Sequence, residues 1–280
     1  MLAYRHLFHA GNFADVFKHA LLSRLLVALA HKEKPLCFLD THAGIGRYDL
    51  AHEWAKKNAE SRDGIGRLWG RNDVPATLVP YLDAVRMENR GTALRFYPGS
   101  PRIAQRLLRP GDRLVLSELN KADVAALGER FADDRRITVH LMDGYQSLKA
   151  HLPPPERRGL VLIDSSFDRA GELARIVEAL TAAQRRFATG VYAIWYPLIE
   201  PGALRAFERD VVATGIRKIL QLELAVRAEG WTLSLRGSGM LVVNPPFGFA
   251  EEAAPMLEWL WPVLAPGGEG GRRVRWLVPE

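Results

Sequence analysis

The sequence predicts an α/β fold in which a doubly wound, mostly parallel sheet of seven strands carries an inserted helical subdomain. Short apolar runs alternate with longer segments of helical periodicity, and this alternation is typical of a parallel sheet. The first run ends in an acid and a tight glycine turn, where a parallel strand delivers its last residue to a ligand. The strand-like runs cover residues 36–40, 113–119, 137–142, 160–164, 190–196, 216–226, 240–244 and 274–278, and helical patterns between them include 121–131 and 170–187.

A helix is predicted before the first strand. Asn12 is a favourable N-cap residue, and the segment from there toward Lys32 carries apolar residues at helical spacing. Pro35 ends this pattern. The residues predicted to form one apolar face are Phe13, Val16, Phe17, Ala20, Leu21, Leu25 and Leu29.

The longest gap between strand-like runs extends from about residue 52 to 95 and is charged and helical in pattern. One crossover needs far fewer residues, so this segment is predicted to be a helical subdomain inserted after the first strand. The chain is otherwise predicted to be one domain, 1–280, because 280 residues can bury one large core.

The turn after the first strand indicates a nucleoside ligand. Asp40 is followed by Gly44 and Gly46, and glycine permits the backbone to approach a nucleoside without a clash at Cβ. The pattern is shared by dinucleotide sites and S-adenosylmethionine (SAM) sites. The third glycine of the dinucleotide fingerprint is missing, since residues 47–49 are Arg, Tyr and Asp. This favours SAM, and a strained turn without a ligand is the alternative.

Four acids stand at or just after strand ends: Asp40, Glu118, Asp143 and Asp164. The carboxyl ends of parallel strands share one edge of the sheet, where ligands of open α/β folds bind. At the end of the second strand, Glu118 can accept both hydroxyls of a ribose. Asp143, after the third strand, can accept from an adenine amine. Any one of these acids alone could instead cap the next helix.

The segment Asp164-Ser165-Ser166-Phe167, after the fourth strand, is the predicted reaction centre. Methylation of an exocyclic amine requires groups that accept the N–H hydrogens and an aromatic ring that holds the base. Asp164 can supply a carboxylate, Ser165 its carbonyl and Phe167 the stacking face. A rival segment, Asn244-Pro245-Pro246-Phe247, fits the signature of amino methyltransferases more literally. It follows a later strand, however, and asparagine carries no charge.

Composition and charge set wider limits. With 48% apolar and 25% charged residues the chain is ordinary for a globular protein, and its net charge of +6 leans toward a polyanionic partner. Cys37 is the single cysteine, which excludes an intramolecular disulfide and indicates a reducing compartment. Since no His/Cys cluster has ligand spacing and no apolar stretch near the N-terminus has membrane-spanning length, we expect a cytoplasmic protein without a metal or membrane contact.

The N-terminal segment 4–12 mixes cations with aromatic rings, and Lys18 and His19 follow one or two helical turns later. Cations meet phosphates, and Tyr or His rings stack on unpaired bases, so this mixture suits a nucleic acid. A solvated tail followed by two residues on a helix surface is an equal alternative.

Long motifs distributed over the whole chain resemble the RlmJ family. Its members are bacterial 23S rRNA adenine-N6 methyltransferases, also described as proteins needed for using external DNA as a nutrient. The resemblance implies a Rossmann-like SAM-dependent methyltransferase domain with a helical insertion. The motifs are residues 4–6 and 8–12, Lys18-His19, 40–44 and 46–48, 97–101, 186–190, 195–197 and 214–218.

The resemblance also implies roles for single residues. Asp164 would be the catalytic acceptor, Tyr4 and His6 would contact the RNA, and Phe167 would stack on the base. One departure stands out, because the family shows Asp-Pro-Pro-Tyr where this chain has residues 164–167. Two fixed φ angles and a hydroxyl are thereby lost. The positions that would bind SAM are Lys18, His19, His42, Ser100, Glu118, Asp143, Gly144 and Asp164.

The predicted function is therefore methyl transfer from SAM to N6 of an unpaired adenine in 23S rRNA, by a monomer. One alternative is a SAM- and RNA-binding protein whose altered loop does not catalyse. Another is an adenine-N6 methyltransferase that acts on DNA, although no separate target-recognition domain is visible. A nuclease is disfavoured, because the acids stand at SAM-type positions and nothing suggests a two-metal cluster.

Overall fold

Two sheets form the framework of the protein. The computed structural model describes residues 5–232 and 234–280. Within these ranges the strands are β1 (Cys37–Asp40), β2 (Arg47–Asp49), β3 (Phe96–Pro98), β4 (Arg113–Glu118), β5 (Ile137–Leu141), β6 (Gly159–Ile163), β7 (Val191–Pro197), β8 (Ile219–Ala225), β9 (Gly237–Val243) and β10 (Gly271–Val278).

The main sheet has the strand order β10-β8-β9-β7-β6-β1-β4-β5, and β2 pairs with β3 in a small second sheet. β1 pairs in parallel with β4 and β6, and β5 and β7 extend this parallel region on either side. β9 runs antiparallel to β7 and β8, and β10 runs antiparallel to β8. The α/β class with a mostly parallel sheet is confirmed.

The predicted count of seven strands is wrong, because the main sheet has eight. All eight apolar runs form strands, and the last of them, β10, lies beside β8 at one edge. β8 is buried at nearly every position, so without β10 the backbone groups along its outer side would lack partners.

Helices cover both faces of the main sheet. On one face α1 packs against α3, α4 and α9, and on the other α6 and α7 form a layer with α8. No helix within the described ranges is both long enough and apolar enough to cross a bilayer. The helices are α1 (Phe13–Ala30), α2 (Glu53–Asn58), α3 (Val79–Arg86), α4 (Ser100–Leu107), α5 (Lys121–Phe131), α6 (Gly144–His151), α7 (Glu172–Arg186), α8 (Pro201–Ala213) and α9 (Phe249–Leu264).

The first helix is buried around most of its circumference. Its predicted N-cap is confirmed, since the Asn12 side chain accepts from the Asp15 N–H at 3.0 Å. The prediction of one apolar face was too narrow, because helices pack on several sides of α1. Lys18 is 5% exposed and His19 is 1% exposed. The alternative that these two residues lie on a helix surface is therefore wrong.

The segment between β2 and β3 contains α2, α3 and short 3-10 turns. Its apolar residues Ile65, Leu68 and Tyr81 belong to the same hydrophobic cluster as Phe17 of α1. The boundaries of the inserted subdomain, 52–95, stay a prediction, because the core runs without a break from this segment into the rest of the chain.

The topology places the predicted acids at one edge. Asp40 and Glu118 are the last residues of β1 and β4, Asp143 lies two residues after β5, and Asp164 follows β6 directly. Because these strands are parallel, their carboxyl ends meet on the same side of the sheet.

Candidate active site

A cavity of about 1010 Å³ opens at the carboxyl ends of the parallel strands. Pockets for drug-sized ligands reach about 1,000 Å³, so the cavity is large enough for a ligand of that size. Tyr4, predicted to contact RNA, lies outside the described residues. The predicted site residues that line the cavity are His6, Lys18, His19, His42, Gly44, Ser100, Glu118, Asp143, Gly144, Asp164 and Phe167.

An ion pair lies on the wall of this cavity. Lys18 Nζ is 2.6 Å from Asp164 Oδ2, and the two side chains are 6% and 14% exposed. Burial by itself would lower the pKa of Lys18, but the carboxylates of Asp164 and Asp15 outweigh it and raise that pKa. The ammonium group therefore stays charged and holds the Asp164 carboxylate in one place.

Glu118 anchors the glycine turn. Gly44 N donates to Glu118 Oε2 at 2.9 Å, and the N–H groups of Leu119 and Asn120 donate to Oε1 at 2.7 and 2.8 Å. The turn needs glycine, because Gly44 has φ of +59° and a Cβ would lie 2.4 Å from Tyr48 Oη. Since each carboxylate oxygen has two acceptor positions, Oε2 can still accept one further hydrogen bond.

Asp143 has two roles. Its Oδ1 accepts from two N–H groups in the first turn of α6, at 3.0 and 3.1 Å, so it is the N-cap of that helix. The helix-capping alternative is thus correct for this oxygen. Asp143 also lines the cavity, and its Oδ2 lies 3.9 Å from Arg175 Nη2.

Gly144 sets how closely α6 approaches the turn after β1. A Cβ at this position would lie 2.5 Å from the Thr41 carbonyl oxygen and 2.7 Å from His42 Cε1. His42 Nδ1 is in turn 2.8 Å from Thr41 Oγ1. Burial lowers the pKa of His42, so its imidazole is neutral near pH 7.

We expect Gly144→Ala to lower the free energy of unfolding by about 2–4 kcal/mol, because a backbone oxygen cannot turn away from the new methyl group as a side chain can. Urea unfolding measures the change. Gly128→Ala in α5 is the matched control, since nothing lies within 4 Å of a Cβ there. A Gly144→Ala protein as stable as the wild type would contradict the close approach of α6.

Asp40 has no exposed surface and contacts Ser100, a residue of the cavity wall. Ser100 Oγ donates to Asp40 Oδ2 at 2.7 Å, and the His42 N–H donates to Oδ1 at 3.2 Å. Burial raises the pKa of Asp40 to about 7, although these hydrogen bonds favour the charged form. Asp40 thus fixes the start of α4 and the turn after β1.

The pKa of Asp40 predicts a pH dependence of stability. The folded carboxyl binds its proton more tightly than the unfolded one, so its contribution to stability declines as the pH rises from 3.8 to about 7. Between pH 5 and pH 8 the wild type should lose about 2–3 kcal/mol relative to Asp40→Asn, which does not titrate there. Urea unfolding of both proteins at the two pH values checks this. An unchanged difference would show that Asp40 titrates normally.

His19 belongs to a buried chain of polar groups. Its Nδ1 lies 2.8 Å from Tyr97 Oη, which lies 3.0 Å from Tyr81 Oη. Burial lowers the pKa of His19 to about 3, so this imidazole is neutral. These hydrogen bonds connect α1 to β3 and α3.

The described part of the N-terminal segment folds against the cavity, so the solvated-tail alternative is wrong for residues 5–12. His6 Nε2 lies 2.9 Å from Asp15 Oδ2, and the His6 ring lies 4.9 Å from the Tyr48 ring. His9 Nδ1 lies 2.9 Å from Glu60 Oε1, which joins this segment to the inserted segment.

The loop after β6 is held by side-chain contacts. The Phe167 ring meets the Trp195 ring edge-on with centroids 5.6 Å apart, and Phe167 adopts φ of +53°. A non-glycine residue in this region is strained, and such strain is concentrated at functional sites. Ser166 Oγ donates to Asp168 Oδ1 at 2.6 Å, so a local hydrogen bond restrains the loop where this chain lacks proline.

Comparisons with known proteins decide the family. A family model described as "Ribosomal RNA large subunit methyltransferase D, RlmJ" matches residues 33–278. The protein "Ribosomal RNA large subunit methyltransferase J" from Escherichia coli (strain K12) is 46% identical over 280 residues, with 100% of both chains covered. The protein of the same name from Haemophilus influenzae is 44% identical over 281 residues, again with 100% of both chains covered. The chain belongs to the RlmJ family.

A solved structure confirms the fold of this RlmJ-family chain. A crystal structure of a Legionella pneumophila protein superimposes with a TM-score of 0.89 at 36% identity, and it covers 96% of this chain and 98% of its own. Family membership confirms the predicted methyltransferase and its Rossmann-like class. The roles of single residues stay predictions.

In this RlmJ-family chain the rival segment 244–247 lies at the other end of the sheet. β9 runs antiparallel to β7, and Val243 pairs with Tyr192 near the start of β7. Asn244 therefore follows β9 at the edge opposite the cavity, where its Nδ2 donates to the carbonyls of Ala188 and Gly190 at 2.8 and 2.9 Å. The preference for Asp164 agrees with this placement.

Sequence reasoning missed two residues of the site. Asp15 contacts Lys18 and His6, and its signal was an acid three residues before a lysine in an otherwise apolar helix. Trp195 lines the cavity beside Phe167, and its ring centroid lies 5.7 Å from Lys18 Nζ. Its position near the end of β7, the parallel strand next to β6, was the available signal.

Proposed function

We propose that this chain transfers a methyl group from SAM to the exocyclic N6 of an unpaired adenine in 23S rRNA. The observation that carries the proposal is the placement of Asp164. Its carboxylate lies at the end of β6, lines the same cavity as the Gly44 turn and is held by Lys18 at 2.6 Å. Membership of a family of large-subunit rRNA methyltransferases supports the same reaction.

The cavity fits SAM by volume and by chemistry. Glu118 Oε2 retains an acceptor position for a ribose hydroxyl, and Asp143 presents a carboxylate suited to an adenine amine. His42, His19 and Ser100 add polar groups along the cavity wall, and Gly144 keeps α6 close to the turn after β1. When bound, SAM supplies an electrophilic methyl group.

The protein's own residues then prepare the amine. The lone pair of an exocyclic nitrogen is delocalised into the ring, so the N–H hydrogens must be accepted for the nitrogen to become nucleophilic. Asp164 accepts one hydrogen and the Ser165 carbonyl accepts the other, while Phe167 stacks on the base. Nothing in this scheme requires a metal ion.

The N-terminal segment and the rim of the cavity would hold the RNA. Tyr4 and His6 are proposed RNA contacts, and Arg5 lies beside His6 on the cavity wall. Trp54, 39% exposed and stacked on Phe8, offers an aromatic surface at the same rim. We expect the enzyme to work as a monomer in the cytoplasm.

Transfer of a labelled methyl group from SAM to 23S rRNA stripped of its modifications tests this function, with double-stranded DNA as the parallel substrate. Label in the RNA alone is the expected result. Label in the DNA alone would favour the DNA methyltransferase. Binding of SAM and RNA without transfer to either substrate would favour the non-catalytic binding protein.

A further inference from the structure

Asp15 is a buried carboxylate that connects the candidate reaction centre to the segment before α1. It is 1% exposed, and its Oδ1 lies 3.0 Å from Lys18 Nζ. Its Oδ2 accepts from the Gly11 N–H at 2.9 Å and lies 2.9 Å from His6 Nε2. Lys18 thus lies between two carboxylates, those of Asp15 and Asp164.

The charges of this cluster do not cancel. Asp15 and Asp164 carry two negative charges and the Lys18 ammonium carries one positive charge, which leaves about −1 on these three side chains. His6 Nε2 lies 2.9 Å from Asp15 Oδ2 at the cavity wall, and it adds a positive charge to the cluster only in its protonated form. A charge enclosed in protein is screened less than a charge in water. One net negative charge on this cluster can therefore affect the binding of a cationic ligand.

We propose that Asp15 is a positioning residue which shares Lys18 with Asp164, and thereby leaves these three side chains with a net negative charge that favours the cationic methyl donor and the cationic transition state. The inference rests on the proposed function. If Lys18 were paired with Asp164 alone, the pair would be neutral, and Asp164 would be a weaker acceptor for the amine hydrogens. With Asp15 present, the Lys18 charge is divided between two carboxylates.

A purely structural role is the competing explanation. Asp15 lies in the first turn of α1, where a carboxylate is favourable for the helix dipole, and it accepts from the Gly11 backbone. Substitution would then lower stability without a specific effect on charge. Asp112 is a suitable comparison, because it is 2% exposed and accepts from Leu36 N at 3.0 Å and from the Arg109 guanidinium.

The first test measures single-turnover methyl transfer in Asp15→Asn. We expect the rate constant to fall by about 10- to 100-fold, with a smaller change in the RNA concentration for half-saturation. Asp112→Asn should lose stability without losing rate. An Asp15→Asn rate equal to that of Asp112→Asn would overturn the proposal.

A charge-restoring double variant sharpens this test. Lys18→Met leaves about −2 in the cluster, and Lys18→Met with Asp15→Asn returns it to about −1. Because the ammonium that Asp15 shares with Asp164 is absent there, Asp15→Asn should lower the rate by a smaller factor in the Lys18→Met background than in the wild-type background. A loss by the same factor in both backgrounds would contradict the sharing of Lys18 between Asp15 and Asp164.

The second test needs no turnover. S-adenosylhomocysteine is the neutral counterpart of SAM, so the ratio of their dissociation constants reports the charge at the sulfur position. Asp15→Asn should lower the preference for SAM by about 3- to 10-fold, while Asp112→Asn leaves it unchanged. An unchanged ratio in folded Asp15→Asn would overturn the proposal even if the wild type transfers methyl groups. A wild type that transfers none but shows the expected ratio would instead contradict the proposed function.

Discussion

Asp164→Asn is expected to lower the single-turnover rate of methyl transfer by about 10³-fold. Asparagine keeps the size of the side chain but replaces one acceptor oxygen with an N–H donor. The variant can no longer accept an amine hydrogen as an anion, and it loses the charged partner of Lys18, which lies 2.6 Å away. Rapid mixing of the SAM-saturated variant with 23S rRNA measures the rate.

The affinity for SAM separates this effect from a loss of structure. Calorimetry should show a change of less than about 10-fold in the dissociation constant, because Glu118 and the Gly44 turn are untouched. Glu156→Gln is the matched control, since Glu156 is 13% exposed and pairs with Arg113 at the other end of β4. If Asp164→Asn transfers methyl groups as fast as Glu156→Gln, Asp164 has no role in the methyl-transfer step.

The second large effect is expected for Glu118→Ala, which should weaken SAM binding by about 100-fold. The substitution removes the carboxylate proposed to accept a ribose hydroxyl. It also leaves the Gly44 N–H without its acceptor at 2.9 Å, so the turn loses its anchor. Calorimetric titration of SAM into the variant measures the effect.

Its control is Glu129→Ala, a substitution of an exposed glutamate on α5. Binding of SAM should be unchanged there. The rate of Glu118→Ala at saturating SAM should be reduced far less than the affinity, because Asp164 and Lys18 remain in place. An unaltered SAM affinity in Glu118→Ala would place the ribose elsewhere in the cavity.

The edge of the sheet at which the site lies could be predicted from sequence, because the carboxyl ends of parallel strands all lie at the same edge. Once the apolar runs and the Gly-x-Gly turn were recognised, Asp40, Glu118 and Asp164 had to end neighbouring strands on the same side. Which of these acids faces the cavity and which is buried could not be predicted from sequence. Asp40 has no exposed surface and binds Ser100, which depends on how α4 packs over β1.

The burial of Lys18 and His19 could not be predicted from the residues of α1 alone. A position on the helix surface was an equal alternative for Lys18 and His19, because a charged side chain in an amphipathic helix usually faces solvent. The helices that cover this side of α1 come from distant parts of the chain, so their contacts are tertiary information. The run 274–278 was predicted to form a strand, but its place in the main sheet beside β8, 46 or more positions earlier, is also tertiary information, so the count of seven strands was wrong.

The most direct test of the central claim is mass analysis of nucleosides from unmodified 23S rRNA after reaction with SAM and the wild-type protein, with Asp164→Asn in parallel. We predict N6-methyladenosine in the wild-type sample and almost none in the Asp164→Asn sample. Equal amounts of N6-methyladenosine in the two samples would contradict the role of Asp164. A methyl group found on another base or on a ribose hydroxyl would contradict the proposed reaction itself.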